Sequence, residues 1–240
     1  MKIDYVVISS DDSHYLDFYE PVAQTWKKLG FKTILLHITE EDRAEETEYG
    51  IYQKVKRVGK YPTGWQAQLV RLYAGKMFPN SNLLLSDIDM VPLSAEYFVS
   101  NASSILDEQI LAYSGQPYGN VPYYPICYIL GAGKQLEAAL NLPNTFEAFL
   151  RKVSQDYTVK WNSDEHYLYD HLKGRENLSV LPVRDYSSDR VDRSNWNYNP
   201  KKLTLGKYID SHLLRPFKQH SEEIQKMLEL VSAQKKEGKQ

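Results

Sequence analysis

Cysteine is almost absent from this sequence. The chain of 240 residues contains one, Cys127, which lies between apolar and aromatic neighbours. An internal disulfide is therefore impossible, which suits a reducing compartment, and a chain of this length can bury a sufficient core without one. We expect Cys127 to be a small buried core residue and the protein to be cytoplasmic.

Long apolar runs and an excess of charge of one sign are also lacking. No stretch approaches the ~20 apolar residues that a transmembrane helix needs, and the N-terminal apolar run is too short for a signal peptide. The formal net charge is only −2, so no basic excess indicates a nucleic acid or an anionic membrane. We expect no nucleic-acid partner and no membrane span. A negatively charged ligand must then be held by local donors or by a bound cation.

Segments with strand and helix patterns alternate through the first half of the chain. The acidic run Glu40–Glu48 indicates a solvated loop or helix face. Apolar periodicity and stop signals predict strands at Ile3–Ile8, Lys32–Ile38 and Leu83–Leu85, and helices at Tyr19–Leu29 and Trp65–Met77. Repeated strand–helix–strand units predict an α/β fold with a mostly parallel central sheet flanked by helices.

The second half is less regular and shows no clear linker. Turn formers and aromatics predict a loop over 113–125, and a long polar stretch covers Asp185–Pro200. Between and after them we expect a strand at Ile126–Leu130, a Gly-Ala-Gly turn, a helix near Lys134–Leu140, a helix at Ser163–Leu172 with Ser163 as N-cap, and a strand at Ser179–Val183. A final amphipathic helix begins at Ser221. We therefore expect one domain over residues 1–220, followed by a helix and tail over 221–240.

Two aspartates follow the apolar strand Leu83–Leu85. Side chains alternate in an extended segment, so Asp87 and Asp89 face the same side. Ligands of open α/β sheets collect at the carboxyl ends of strands, and a divalent cation relieves the repulsion between neighbouring carboxylates. Asp-x-Asp is a common short pattern, and turn-forming aspartates at a strand end are the alternative interpretation. The apolar context on both sides favours a Mg²⁺ or Mn²⁺ site.

Several short motifs together resemble the GT-A glycosyltransferases, and most closely the group of glycogenin and the bacterial lipopolysaccharide galactosyltransferases. Arg71 in a helix, an apolar strand and then Asp87-Ile88-Asp89 follow the order of that family. The segment Val6–Leu16 is similar to its first strand and its Asp-x-x-Tyr segment. The motifs extend over about residues 3–217. The resemblance implies a single GT-A (Rossmann-like) domain, with a nucleotide-binding half at about 1–95 and an acceptor half at about 96–220.

The resemblance also implies how the donor is bound. Asp12 and Tyr15 would lie in the base pocket, and Gly131 stands where the family has Asn-x-Gly against the donor sugar, although the Asn is absent here. Arg190 and Arg193 are further candidate phosphate contacts, which exposed salt bridges would explain equally well. The full set of expected donor-binding residues is Ser9, Ser10, Asp12, Tyr15, Arg71, Asp87, Gly131, Lys207 and Arg215.

Two C-terminal segments complete the resemblance. His212, followed by Arg215-Pro216-Phe217, is similar to a histidine that serves the family as third protein ligand of the metal, so the expected ligands are Asp87, Asp89 and His212. Asn162–Leu168 resembles the Asp-Gln-Asp-x-Leu-Asn segment that reaches the anomeric carbon. There Asp164 matches the first Asp, while Glu165 and His166 replace the Gln and the second Asp. Asp164 and Glu165 are the expected catalytic residues.

These resemblances imply a metal-dependent transfer of a sugar from a nucleoside diphosphate sugar, most simply a UDP-sugar, to a hydroxyl of a glycan or another acceptor. Mn²⁺ or Mg²⁺ would be the cofactor. The family implies retention of anomeric configuration, with Asp164 or Glu165 stabilising an oxocarbenium-like state or acting as nucleophile. An inverting enzyme would use one of them as general base.

Aromatic residues are abundant, with 19 tyrosines and 4 tryptophans, and their flat faces suit sugar stacking as well as ordinary cores. We expect the acceptor at the loop 113–125 and the stretch 185–200, through Tyr118, Tyr123, Tyr124 or Trp196. Two other functions stay open. A metal-dependent nucleotidyltransferase or phosphotransferase is disfavoured because no Gly-rich phosphate loop is present. A carbohydrate- or nucleotide-binding protein without activity is the other, because the Asn-x-Gly and Asp-Gln-Asp motifs are altered.

Overall fold

The structure, a computed structural model, describes residues 1–115 and 123–237, with side chains described up to residue 231. Within these ranges the strands form a large and a small sheet. The strands are β1 (Tyr5–Ser10), β2 (Lys32–Thr39), β3 (Arg43–Thr47), β4 (Gly50–Lys56), β5 (Asn82–Leu85), β6 (Met90–Pro92), β7 (Ile110–Ala112), β8 (Ile129–Ala132), β9 (Leu178–Val180), β10 (Arg190–Asp192) and β11 (Asp210–His212).

Helices separate most of the strands along the chain. A 3-10 turn at Leu16–Phe18 leads into the first of them. The helices are α1 (Tyr19–Lys28), α2 (Thr63–Met77), α3 (Ala95–Ser103), α4 (Gly133–Ala139), α5 (Phe146–Asp156), α6 (Ser163–Leu172), α7 (Tyr186–Asp189), α8 (Pro200–Thr204) and α9 (Phe217–Glu237). In the part of the chain that is described, no helix has both the length and the apolar character to cross a membrane.

The large sheet has the strand order β3-β4-β2-β1-β5-β8-β7-β9. Its centre is parallel, because β1 pairs in parallel with β2 and β5, and β2 pairs in parallel with β4. Antiparallel pairs occur at β3–β4, β5–β8 and β7–β8, and β9 joins β7 in parallel. The expected α/β fold with a mostly parallel sheet flanked by helices is confirmed.

Helices cover both faces of this sheet. Val7 of β1 contributes to a core with α2, α4, α5 and α6, whereas Val6 and Ile8 contribute to a core with α1, α3 and α9. All three side chains are fully buried, as the alternation of a central parallel strand requires. Ile224 and Met227 of α9 are fully buried in the second core. The C-terminal helix therefore belongs to the packed body of the protein.

The small sheet brings the C-terminal half back to the end of β5. It has the order β10-β11-β6, with β11 antiparallel to β6 and parallel to β10. His212 pairs with Met90, directly after Asp89, and the Leu213 amide donates to the Asp89 carbonyl at 2.9 Å. These strands have three residues each, too short for an apolar period to reveal, and the sequence did not predict them.

Several local expectations need correction. The acidic run Glu40–Glu48 contains strand β3, whose charges lie on the solvated edge of the sheet and protect that edge from further pairing. The strand expected at Ile126–Leu130 begins only at Ile129, and Ser179–Val183 is a strand only in part, at Leu178–Val180. The Gly-Ala-Gly turn is the end of β8 followed by the start of α4.

Helix boundaries also differ from expectation. Ser163 is the first residue of α6, not its N-cap, because its hydroxyl donates to the carbonyls of Thr158 and Lys160. The final helix starts at Phe217, four residues before Ser221. Helices α3 and α5 and strands β4 and β7 were not predicted. The loop expected at 113–125 lies largely outside the described residues.

Candidate active site

A cleft of about 770 Å³ opens at the carboxyl ends of β1 and β5. This edge of an open α/β sheet is where ligands usually bind, and the volume suits a ligand of nucleotide-sugar size. The walls come from the ends of β1 and β5, one side of α2, the start of α6, and the region of β10 and β11. The residues discussed below that line it are Ser9, Ser10, Asp11, Tyr15, Gly64, Ala67, Gln68, Arg71, Asp87, Asp89, Tyr123, Lys160, Trp161, Asp164, Glu165, Arg193, His212 and Arg215.

The end of β1 forms one end of the cleft. Ser9, Ser10 and Tyr15 line it as expected from the sequence. Asp12 is not among the described residues that line the cleft. Its carboxylate lies 2.9 Å from Nε2 of His37, and its side chain is 76% exposed. The carboxylate that faces the cleft is Asp11, which accepts a hydrogen bond from the Thr63 hydroxyl at 2.7 Å.

A buried arginine connects three elements at the opposite end. Arg71 of α2 donates to Asp87 after β5 and, at 3.0 Å, to Asp164 at the start of α6. Arg71 and Asp164 are 6% and 3% exposed, so the ion pair between them is shielded from water, whereas the Asp87 side chain is 29% exposed. Burial opposes the charged form of Asp87, but the Arg71 guanidinium holds its pKa below the ordinary value. The network fixes both carboxylates against α2.

Asp164 and Glu165 are held differently although they are neighbours. Burial raises the pKa of Asp164 even though Arg71 favours its charged form. Burial, together with the carboxylates of Asp164 and Asp87, raises the pKa of Glu165 to about 8. Of these two neighbours, Asp164 has a guanidinium partner, whereas Glu165 keeps its proton near neutral pH. Such different environments are typical of active sites.

Asp89 lies beside His212 at the small sheet. Asp89 is 5% exposed, and its Oδ2 atom accepts a hydrogen bond from Arg193 at 2.6 Å and lies 3.4 Å from Nε2 of His212. Nδ1 of His212 lies 3.6 Å from the Asp192 carboxylate. Burial opposes protonation of His212, but the two aspartates raise its pKa to about 9.

Carboxylate oxygens and an imidazole are donors that suit Mn²⁺ or Mg²⁺. Asp89 and His212 point at a common location, and Asp87 lies on the same side of the cleft. Among residues 1–115 and 123–237, however, no three His, Cys, Asp or Glu side chains are gathered closely enough to hold an ion. Arg71 and Arg193 engage the two aspartates instead. The donor types fit a divalent cation, and Arg193 would have to release Asp89 for one to bind.

Positive charge faces the cleft from several elements. Arg215 donates to the Tyr15 hydroxyl, and its guanidinium carbon lies 5.5 Å from the centre of that ring. Arg193 lies beside Asp89, and Lys160, which sequence reasoning missed, lines the cleft before α6. Such side chains suit a diphosphate.

Gly131 and Lys207 are separated from the cleft. Gly131 lies within β8, where an added Cβ would meet Leu136 at 3.1 Å and Ile110 at 3.3 Å, so it packs in the core. Lys207 follows α8 as an exposed residue. Neither is among the described residues that line the cleft. The expectation for Gly131 rested on a short motif match, which does not fix spatial position. The expectation for Lys207 rested only on its positive charge, which suits a phosphate.

The aromatic residues expected for an acceptor have different environments. Tyr123 lines the cleft, whereas Tyr124 is 8% exposed within the core and Trp196 packs against the second core. Tyr118 lies outside the described residues. Sequence reasoning missed Trp161, which is 68% exposed in the cleft, with its ring centre 6.2 Å from that of Tyr15. Its position directly before the Asp164 motif was the available signal.

A buried ion network lies behind the small sheet. Asp210 of β11 is fully buried and accepts hydrogen bonds from both Arg184 and Arg190. Arg190 is therefore committed to Asp210, and the expectation that it contacts phosphate is wrong. Asp210 and His212 lie on the same side of β11, because side chains alternate along a strand. The network thus anchors the strand that carries His212.

The comparisons with known proteins concern the fold. No family model and no curated protein sequence matches the chain. Two structures of the glycosyltransferase GlyE from Streptococcus pneumoniae TIGR4, one of them the apo form, are similar to it with a TM-score of 0.52 each, at 12% and 13% sequence identity. The alignments cover 87% and 88% of this chain and 54% of the GlyE chain.

A glycosyltransferase involved in the glycosylation of the major capsid of PBCV-1 has a TM-score of 0.48 and 11% identity, over 88% of this chain and 94% of that one. The chain spans about half the length of the GlyE structures. The closer resemblance to the glycogenin group stays a prediction. The chain has the fold of the glycosyltransferase GlyE.

Proposed function

We propose that this protein is a glycosyltransferase that moves a sugar from a nucleoside diphosphate sugar, most simply a UDP-sugar, to a hydroxyl of a glycan or another acceptor. The observation that carries the proposal is the cleft itself. In a fold shared with a glycosyltransferase, it gathers the residues of four separate sequence motifs at the carboxyl edge of the sheet. These motifs contribute Tyr15, Arg71 with Asp87 and Asp89, Asp164 with Glu165, and His212 with Arg215.

The arrangement provides a path for the donor. Ser10 and Tyr15 at the end of β1 would hold the nucleobase and ribose, with Tyr15 oriented by Arg215. Arg215, Lys160 and Arg193 would lie along the diphosphate and balance the charge that develops on the leaving group. Bidentate guanidinium groups suit this task because they match the geometry of phosphate oxygens.

Asp87, Asp89 and His212 would hold Mn²⁺ or Mg²⁺. The chemistry that such a cation supplies is neutralisation of the leaving nucleoside diphosphate. Arg71 orients Asp87 from behind, and the pairing of β11 with β6 sets His212 beside Asp89. Metal dependence is part of the proposal because the donor types of these side chains suit a hard divalent cation.

Asp164 and Glu165 would face the anomeric carbon, with retention of configuration. Asp164 is held in place by Arg71 and would stabilise positive charge on the sugar ring as the bond to the diphosphate breaks. Glu165 has its pKa raised to about 8 by burial and neighbouring carboxylates, so it holds a proton at neutral pH. A protonated carboxyl cannot act as a general base, so Glu165 would not fill that role in an inverting reaction.

The proposal is tested by turnover. Purified protein is incubated with Mn²⁺ and UDP-glucose, UDP-galactose or their N-acetylated forms, and release of UDP is followed, since slow transfer to water reports donor cleavage without a known acceptor. We expect one donor to be cleaved, Asp164→Asn to abolish cleavage, and the released sugar to keep its anomeric configuration by NMR.

Asp170→Asn is the matched control. Asp170 lies on the same helix as Asp164, but it is exposed and pairs with Lys173 at the surface. This variant should cleave the donor at the wild-type rate. Absence of cleavage with every donor, or equal loss of activity in the control, would contradict the proposal. An inverted product would contradict the retaining mechanism alone.

A further inference from the structure

Gln68 presents an unpaired polar atom to the cleft. This residue of α2 is 7% exposed and lines the cleft wall. Its Oε1 atom is buried and has no hydrogen-bond partner among the described residues. A buried acceptor without a partner is costly, and the great majority of such groups in folded proteins are paired. Because Gln68 lines the cleft, a bound ligand could donate the missing hydrogen bond.

Gln66, on the same helix, is a buried glutamine whose side-chain amide is fully hydrogen-bonded within the protein. Two residues before Gln68, its Oε1 accepts a hydrogen bond from the Val58 amide at 2.9 Å. Its Nε2 donates to the Val58 carbonyl at 3.0 Å and to the Tyr61 carbonyl at 2.8 Å. Gln66 is fully buried, and its amide is used on both sides. The unpaired oxygen of Gln68, which lines the cleft, contrasts with the fully paired amide of Gln66 on the same helix.

The position of Gln68 along α2 indicates which part of a donor it meets. One turn before it, Gly64 lines the wall near Asp11, toward the end of β1. One turn after it, Arg71 holds Asp87 and Asp164. Ala67 beside it also lines the cleft. Gln68 thus lies one turn of α2 from the arginine that holds the carboxylates that would face the sugar.

We propose that Gln68 is a specificity-determining residue whose amide oxygen accepts a hydrogen bond from a hydroxyl of the transferred sugar. This inference rests on the proposed function, since it assumes a nucleotide-sugar donor in the cleft. A donor with a hydroxyl at the matching ring position satisfies the amide. An analogue without that hydroxyl leaves the amide oxygen buried and unpaired, and this is how a polar site rejects a near-identical substrate.

Gln68→Met tests the inference, because methionine keeps the length of the side chain and removes the amide. Gln66→Met is the matched control on the same helix. Without ligand, Gln68→Met should unfold at a temperature no lower than that of the wild type, since no hydrogen bond of the amide oxygen is lost. Gln66→Met should unfold at a lower temperature, because it leaves Val58 and Tyr61 without their partner.

Binding is then measured by calorimetry with Mn²⁺, using UDP, UDP-glucose, UDP-galactose and their monodeoxy analogues. We expect Gln68→Met to bind UDP as the wild type does and to bind the preferred UDP-sugar about tenfold more weakly. The wild type should discriminate against one monodeoxy analogue, and Gln68→Met should lose that discrimination, as a double-mutant cycle requires.

The failures are distinguishable. A wild type that binds neither UDP nor any UDP-sugar overturns the proposed function and this inference with it. Wild-type binding that Gln68→Met leaves unchanged for every ligand overturns the inference alone. Equal weakening of UDP and the UDP-sugar in Gln68→Met also overturns it, because the amide would then contact the nucleotide and not the sugar.

Discussion

Asp210 offers the sharpest test of how the small sheet is held. Its carboxylate is fully buried and accepts four hydrogen bonds at 2.8 to 3.1 Å, two from Arg184 and two from Arg190. Asp210→Asn keeps the size of the side chain but removes its charge. Arg184 keeps its ion pair with Asp189. Arg190 keeps its stacking on Tyr186 at 3.9 Å but loses its charged partner at position 210.

Breaking a buried ion pair from one side costs about 3–5 kcal/mol, because it leaves a buried charge without its partner. Since Arg184 retains Asp189, we expect Asp210→Asn to lower the free energy of unfolding by about 3 kcal/mol, near the lower limit of that range. Such a loss is a large share of the ~5–15 kcal/mol that stabilises a typical domain.

The assay is urea unfolding followed by circular dichroism. The midpoint should fall while the dependence on urea stays the same, which separates lost stability from a changed unfolded state. Asp170→Asn removes an exposed carboxylate on α6 paired with Lys173 and should leave the midpoint nearly unchanged, as expected for surface pairs. A loss below about 1 kcal/mol for Asp210→Asn would refute the argument, because it would mean that water or rearrangement replaces the network.

Three further predictions concern the cleft. Arg193→Ala removes the guanidinium that lies 2.6 Å from Asp89 and should tighten Mn²⁺ binding without nucleotide about tenfold; unchanged affinity by calorimetry would mean that Arg193 does not compete. Burial and nearby carboxylates raise the pKa of Glu165 to about 8, so the folded state keeps a proton that the unfolded chain releases. As the pH rises from about 5 to about 8 in metal-free buffer, the free energy of unfolding of the wild type should therefore fall relative to that of Glu165→Gln. A difference independent of pH, measured by urea unfolding, would contradict the raised pKa. Trp161→Ala should leave the unfolding midpoint unchanged, since the side chain is 68% exposed. It should weaken UDP-sugar binding about fivefold, because the ligand loses the aromatic surface that Trp161 forms with Tyr15. An affinity equal to that of the wild type would mean that the ligand binds elsewhere.

Local features of the sequence were enough to predict the centre of the cleft. Helix α2, strand β5 and Asp87 follow one another along the chain, so apolar periodicity and the alternation of side chains fix their relation. Arg71 was expected among the donor-binding residues, and it lines the cleft, where it pairs with Asp87. The fold class followed from the same alternation of strands and helices.

Long-range pairings were not predictable. Arg193 and Asp89 are 104 residues apart, and nothing local indicates that the three-residue strands β10 and β11 return to the end of β5. In the sequence, nothing distinguishes Asp210 from an ordinary exposed acidic residue. Its burial depends on two arginines, Arg184 and Arg190, that other parts of the chain supply. The unpaired amide of Gln68 is likewise invisible before the packing around α2 is known.

Short motifs located the region of the cleft better than the individual contacts. The match around Ser9 to Tyr15 identifies the correct strand end, yet the carboxylate that faces the cleft is Asp11 and not Asp12. Gly131 falls in a motif of the right order but lies inside a strand. A one-residue shift moves a side chain to the other face of an extended segment, so a degenerate match cannot fix which residue points at a ligand.

The central claim is that the cleft holds a nucleoside diphosphate sugar with a divalent cation at Asp89. Its most direct test is calorimetric titration of UDP into wild-type protein and Asp89→Ala, each with Mn²⁺ and with EDTA. We predict binding to the wild type that requires Mn²⁺ and is lost in Asp89→Ala, while both proteins stay folded. Equal affinity in Asp89→Ala, or wild-type binding that EDTA leaves unchanged, would contradict the claim.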